Sequence, residues 1–157
     1  MPASALRIAE GPHLHGVRVL VVDDMPYVRD VVTEILEREG LTVTAVGSAE
    51  EALEVLQRER PNVLLSDLSM SGKGGYWLIG QVRALPAERG GTTPAAALAA
   101  YTGPEHRASV LRAGFQYHVA KPVGIRELIG VVAILALKEK ARPGPLEPVP
   151  RCSVAAQ

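Results

Sequence analysis

Five short apolar runs, each followed by a segment with helical periodicity, restrict the fold of this chain more than any other feature. They occupy residues 17–22, 42–46, 63–66, 95–100 and 116–120. Val19, Leu20, Val21 and Val22 show no polar alternation, and neither do Val63, Leu64 and Leu65. A strand with one face in water alternates; a strand buried on both faces does not need to. Helices are expected over 25–38, from Ser48 to just before Pro61, and over 76–85, 104–113 and 124–140. In the first of them Val28, Val31, Val32, Ile35 and Leu36 recur at helical spacing. Gly40 and Gly114 are placed to end helices, and Ser48 to cap one, with Glu51 three residues on. The stretch "PAERGGTT" reads as a loop. Alanine is a poor strand former, so 95–100 is the weakest strand assignment. Strands alternating with helices give an α/β class, a doubly wound parallel (βα)5 sheet covered on both faces.

Composition supports one domain with tails. The chain has 157 residues, 47 % hydrophobic and only 4 % aromatic, so its core must be aliphatic. The domain is expected over 16–140, between an N-terminal tail (1–15) and a proline-rich tail (141–157) holding Pro143, Pro145, Pro148 and Pro150. Seventeen basic residues balance 17 acidic ones and no basic run stands out, which argues against nucleic acid as a partner. The longest apolar stretch, from Leu128 to Leu137, is half of the roughly 20 residues that a membrane helix needs. No signal-peptide pattern opens the chain. Cys152 is the one cysteine, so no intrachain disulfide forms. A cytoplasmic protein, not on a membrane, is the expectation.

The residues just past the strands point to chemistry. Asp23 and Asp24 come after the first, Asp67 after the third, and Lys121 with Pro122 after the fifth. In a parallel sheet these points share one edge, and such sheets bind ligands in the crevice outside the carboxyl ends of their strands. Asp23 and Asp24 could instead merely cap the next helix, but their convergence with Asp67 and Lys121 weighs against that. Carboxylates brought together raise each other's pKa and call for a cation. Mg2+ suits them: it takes one or two carboxylates, keeps waters and accepts phosphate oxygens as further ligands. Lys121 suits a phosphate oxygen as a point charge. Asp67 is the candidate nucleophile, since carboxylates form aspartyl-phosphates. No GxGxxG or P-loop pattern is present, so no nucleotide site is expected. His13 and His15 read as tail residues, and His106 as a solvated helix residue.

The stretches "VVDD" (21–24), "LLSDLSMSGKGG" (64–75) and "GFQYHVAKPV" (114–123) resemble the receiver domain of two-component response regulators, most of all receivers attached to hybrid sensor kinases. The resemblance covers roughly residues 16–138. It implies a flavodoxin-like sheet with strand order 2-1-3-4-5 and a cis bond between Lys121 and Pro122. It also implies Mg2+ held by Asp23, Asp24, Asp67 and the backbone carbonyl of Ser69. Asp67 would be the phosphoacceptor, Lys121 would contact the phosphoryl group, and the donor would be a histidine kinase or histidine phosphotransfer protein.

Three positions depart from that pattern. Ala99 stands where receivers carry Thr or Ser, with Thr102 three residues on; His118 holds the usual switch aromatic position; Ser71 replaces a proline. The acceptor machinery is thus complete and the readout altered. The expected function is a stand-alone receiver, not an enzyme, that signals through protein contact. The alternative is a phosphorylation-independent pseudo-receiver acting as an interaction module. An aspartyl phosphatase would carry a second acid just after the nucleophile, where Leu68 and Ser69 stand. In the last helix Ile125, Leu128, Ile129, Val132 and Leu135 form the expected core stripe. Val131, Ile134 and Lys138, joined by Leu137, form a second one. That second stripe is expected to be exposed, for a homodimer or downstream partner at the face of helix four, strand five and helix five.

Overall fold

A computed structural model of the chain describes residues 14–100 and 103–141. His13, Thr102, Cys152, the proline-rich tail and the Lys138 side chain lie outside the described residues. The order is β1 (Arg18–Val22), α1 (Pro26–Glu37), β2 (Thr42–Val46), α2 (Ala49–Glu59), β3 (Val63–Asp67), α3 (Gly75–Arg83), β4 (Ala95–Ala99), α4 (Pro104–Ala113), β5 (Tyr117–Ala120) and α5 (Ile125–Ala141). All strand pairs are parallel, in the order β2-β1-β3-β4-β5. This is the flavodoxin-like arrangement expected from the sequence. The loop expected after α3 contains a single 3-10 turn, Ala87–Arg89.

The period-two geometry of the strands divides the interior into two layers. Leu20, Val22, Leu64, Ala95, Ala97 and Ala99 face α2, α3 and α4, meeting Ala52, Leu56, Leu78, Ile79 and Val110. Val19, Val21, Val63, Leu65, Ala96, Leu98 and Val119 face α1 and α5, meeting Val32, Leu36, Leu128, Val132 and Leu135. Burying one such Val or Leu side chain contributes about 1.5–3 kcal/mol. This explains why the alanine-rich β4 is a strand: it is buried on both faces and laddered to β3 and β5, and that context outweighs alanine's weak propensity.

Local signals behave as the sequence predicts at several joints. The Ser48 side-chain oxygen accepts the Glu51 N–H at 3.1 Å. Gly40 and Gly114 take positive φ, 91° and 126°, just beyond α1 and α4. Other expectations need correction. Leu14, read as part of the N-terminal tail, is buried in the α1/α5 layer, so packing starts before β1. Ile125, read as core, is 59 % exposed, because it opens α5 before the helix has settled onto the sheet; it lines a groove with Val31 and Ile35 of α1. Val131, read as exposed, is half-buried against the α1/α5 layer, whereas Ile134 and Leu137 are exposed as expected.

The start of α3 ties this architecture to the end of β3. A Cβ on Gly75 would lie 2.4 Å from the Asp67 carbonyl oxygen and 2.9 Å from the Leu68 Cα. Gly80, in the same helix, meets nothing within 4 Å. Gly75→Ala should therefore lower stability by about 1–3 kcal/mol through overpacking, while Gly80→Ala should raise it by up to about 1 kcal/mol through helix propensity. Denaturant unfolding of the two variants checks this; equal effects would refute the close-approach account.

Candidate functional site

Backbone ladders deliver the site residues. Past the end of β1, the Asp23 N–H still donates to Val46 O of β2 at 3.2 Å. Asp67 is the last residue of β3, and the Leu68 N–H donates to Leu98 O of β4 at 3.2 Å. The Lys121 N–H donates to Ala99 O at 2.9 Å. The carboxyl edge thus sets the positions of three functional residues by sheet hydrogen bonds. The bond between Lys121 and Pro122 is cis, as the resemblance implies.

There the structure brings together Asp23, Asp24, Asp67 and Lys121. One carboxylate oxygen from each aspartate lies within 4.8 Å of the others, the sole group of three metal-ligating side chains among the described residues. The Lys121 ammonium donates to Asp23 Oδ2 at 3.0 Å and to Asp67 Oδ1 at 2.9 Å. Asp23 is fully buried and Asp67 is 4 % exposed. One ammonium against three carboxylates leaves the cluster net negative. Two of the three carboxylates are withdrawn from water. Hard oxygen donors with an unmet charge are what a divalent cation such as Mg2+ takes, so the residues fit that ion.

Asp23 combines the two roles weighed from sequence. Its Oδ1 accepts the Met25 N–H at 2.9 Å, at the N-cap of α1, while Oδ2 faces Lys121. Its backbone carbonyl accepts from the Arg29 guanidinium at 2.7 Å. Asp24 is held differently. The Ser71 N–H and hydroxyl donate to its Oδ2 at 2.9 and 3.2 Å. The Ser71 N–H is the main cause that holds the Asp24 carboxyl below its ordinary range, against the effect of burial. Burial pushes the Asp67 carboxyl above its ordinary range and the Asp23 charge adds to this, opposed by Lys121 and the Ser69 N–H. For Lys121, burial opposes the charged form, but the hydrogen bonds to Asp67 and Asp23 outweigh it and raise the pKa.

The altered readout positions lie nearby. Ala99 is buried and presents no hydroxyl; its carbonyl alone serves the site, by accepting the Lys121 N–H. His118 on β5 is half-buried and meets the His106 ring of α4 edge-on, with centroids 5.1 Å apart. His106 is therefore a packed residue and not the solvated one read from sequence. A single polar residue in an otherwise ordinary helix gave no signal of this partner. His15 packs beside Gly40, away from the acidic group. Sequence reasoning marks Ser71 only as a departure and misses Arg29 altogether.

The sequence profile of the response regulator receiver domain matches residues 19–133. The chain belongs to this family. This receiver is 48 % identical over 114 residues to an uncharacterized 14.6 kDa protein of Leptolyngbya boryana, covering 73 % of this chain and 86 % of that one. It is 32 % identical over 127 residues to the sensory/regulatory protein RpfC of Xanthomonas campestris pv. campestris, covering 81 % of this chain but 18 % of RpfC. Among solved structures, the chemotaxis response regulator CheY4 of Vibrio cholerae superposes with a TM-score of 0.71 at 27 % identity. That match covers 76 % of this chain and 98 % of the CheY4 chain. Receivers are signalling modules of two-component systems, and they typically bind Mg2+ at an acidic pocket of this kind. Among the described residues, no helix is long and apolar enough to cross a membrane.

The raised Asp67 pKa has a consequence for stability with a definite sign. Folding raises this pKa, so between the ordinary carboxylate value and the raised one the folded state binds more protons than the unfolded chain. Stability then falls as pH rises through that window, and the loss is complete above it. In metal-free buffer Asp67→Asn should therefore raise the Tm at pH 7, by on the order of a few degrees. The difference should shrink as pH falls below the ordinary carboxylate range. Thermal melts of both proteins across pH check this; a lower Tm for the variant at pH 7 would contradict it.

Proposed function

We propose that the chain accepts a phosphoryl group on Asp67 from a histidine kinase or histidine phosphotransfer protein and passes the signal on by protein contact. The observation that carries this reading is the buried Asp67 carboxylate 2.9 Å from the Lys121 ammonium, beside Asp23 and Asp24 at the carboxyl edge of the sheet. In the transfer an Asp67 oxygen bonds to phosphorus as the phosphorus–nitrogen bond to the donor histidine breaks. The imidazole keeps the electron pair and takes up a proton, leaving an acyl phosphate on Asp67. Such transfers depend mostly on positioning and on stabilising charge. Asp23, Asp24, Asp67 and the Ser69 carbonyl would hold Mg2+, which neutralises charge on the phosphoryl oxygens when bound. Lys121 supplies the other positive charge. A cytoplasmic location goes with this reading.

Ala99 favours a second reading, a pseudo-receiver whose contacts do not depend on phosphate. A hydroxyl at the end of β4 could donate to a phosphoryl oxygen; alanine cannot. A hydrogen bond to a charged group contributes about 1.5–3 kcal/mol, so its loss shifts a two-state switch by roughly 10- to 150-fold. Intact mass decides between the readings. With a small-molecule phosphodonor and Mg2+, the wild type should gain one phosphoryl group, Asp67→Asn should gain none, and chelation should abolish the gain. Equal masses for wild type and Asp67→Asn would refute phosphoacceptance. Ala99→Thr should also be phosphorylated, with larger phosphate-dependent NMR shifts around β4 and β5 than the wild type shows.

The contact surface proposed is the face of α4, β5 and α5, for a homodimer or downstream partner. Leu111 on α4 and Ile134 and Leu137 on α5 are exposed there, between 41 % and 46 %. Isolated exposed apolar residues are ordinary, and it is their placement on the two helices flanking β5 that supports the reading. Because Val131 is half-buried, the informative variant replaces Ile134 and Leu137 by Glu and Lys. It should weaken association in sedimentation while Asp67 phosphorylation persists; unchanged association would remove this face from consideration.

A further inference from the structure

Asp24 is the outermost member of the acidic cluster, only partly buried while Asp23 and Asp67 are buried. A partly exposed aspartate has several side-chain rotamers available, and few of them aim a carboxylate oxygen at its neighbours. In this structure two donors from a single residue select the rotamer. The Ser71 N–H lies 2.9 Å and the Ser71 hydroxyl 3.2 Å from the same oxygen, Asp24 Oδ2. Asp24 nonetheless contributes an oxygen to the group that brings all three carboxylates within 4.8 Å.

The loop that carries Ser71 is anchored on both sides. Just before it, Met70 is buried in the core layer of α2, α3 and α4. Just after it, the Gly75 N–H donates to Leu68 O at 3.1 Å. A Cβ on Gly74 would sit 2.6 Å from that same Leu68 carbonyl, so the loop lies tightly over the end of β3. Ser71 therefore presents its donors from a fixed support that is joined to Asp67 through a few backbone bonds. It spans the gap between the strand that leads into Asp24 and the strand that ends in Asp67.

We propose that Ser71 is a positioning residue for divalent-cation binding: its N–H and hydroxyl clamp one oxygen of Asp24 so that the carboxylate is held ready to ligate with Asp23 and Asp67. This rests on the reading of the three aspartates as an Mg2+ site. Groups that orient a metal ligand by hydrogen bonds typically change metal affinity by about 10- to 100-fold when removed. Most of the effect is assigned to the shorter bond, from the N–H. No side-chain truncation removes that donor, but proline does.

Affinity for Mn2+, read from the free-ion EPR signal, with Mg2+ as competitor, tests the clamp without reference to phosphorylation. Ser71→Thr keeps both donors and should bind within about twofold of wild type. Ser71→Ala keeps only the N–H and should weaken binding several-fold. Ser71→Pro removes both donors and should weaken it about 10- to 100-fold, with circular dichroism confirming the fold. Unchanged affinity in Ser71→Pro overturns the proposal, and if that variant does not fold, unchanged affinity in Ser71→Ala overturns it. Asp23→Asn separates the two levels of the argument. If wild type binds the ion and Asp23→Asn does not, the metal-site reading stands whatever the Ser71 variants do. If wild type binds no ion, the metal-site reading fails and the clamp fails with it.

Discussion

The mutual repulsion of three carboxylates at one edge of the sheet is the constraint around which the chain is arranged. Left alone it would drive the ends of β1 and β3 apart or force a proton onto one of the acids. Lys121 prevents the first by reaching across from β5 to contact two of the aspartates at once. Burial makes that contact stronger than it would be in water, and it also makes an unpaired charge more costly there. The same balance explains why Asp67 remains pushed above its ordinary range even with an ammonium 2.9 Å away. A group poised in this way benefits from any further positive charge that enters, which is the physical basis for reading the cluster as a cation and phosphoryl site.

Most of the architecture is legible in the sequence because the strands are buried on both faces. Such strands appear as uninterrupted Val and Leu runs, so the expected limits of β1 and β3 lie within a residue of the observed ones, and the acids after them fall on one edge. The amphipathic helices are readable for the same reason. Features set by three-dimensional proximity are not. Nothing local marks His106 as the ring partner of His118, since α4 and β5 meet only through the fold. The clamp of Ser71 on Asp24 joins residues 47 apart in the chain. Ile125 and Val131 exchange their expected roles because a 17-residue helix rests on a sheet edge of limited extent, so helical periodicity finds the stripe but not which turn hangs beyond the support.

Position 99 separates two duties that usually rest on one residue in the family pattern. Its carbonyl receives the Lys121 N–H and so places the lysine, a duty any residue but one that breaks the strand can perform. Its side chain, by contrast, lacks the donor that would sense a phosphoryl oxygen. Alanine also suits its surroundings, in line with Ala95 and Ala97 on the same face of β4, where the larger side chains of α3 and α4 fill the space. The substitution is thus silent for folding and for lysine placement, and its effect is confined to what happens after phosphate arrives.

The ladder bonds that extend past β1, β3 and β5 also determine which motions the site can register. Asp23 is tethered to β2, the residue after Asp67 to β4, and Lys121 to β4. Twisting or bending the sheet as one body carries acids and amine along together and leaves their spacing unchanged. Only sliding or opening between adjacent strands alters it. The crevice is thus insensitive to the commonest thermal distortions of a sheet and responsive to one class of displacement, much as a differential gauge rejects what is common to its two arms.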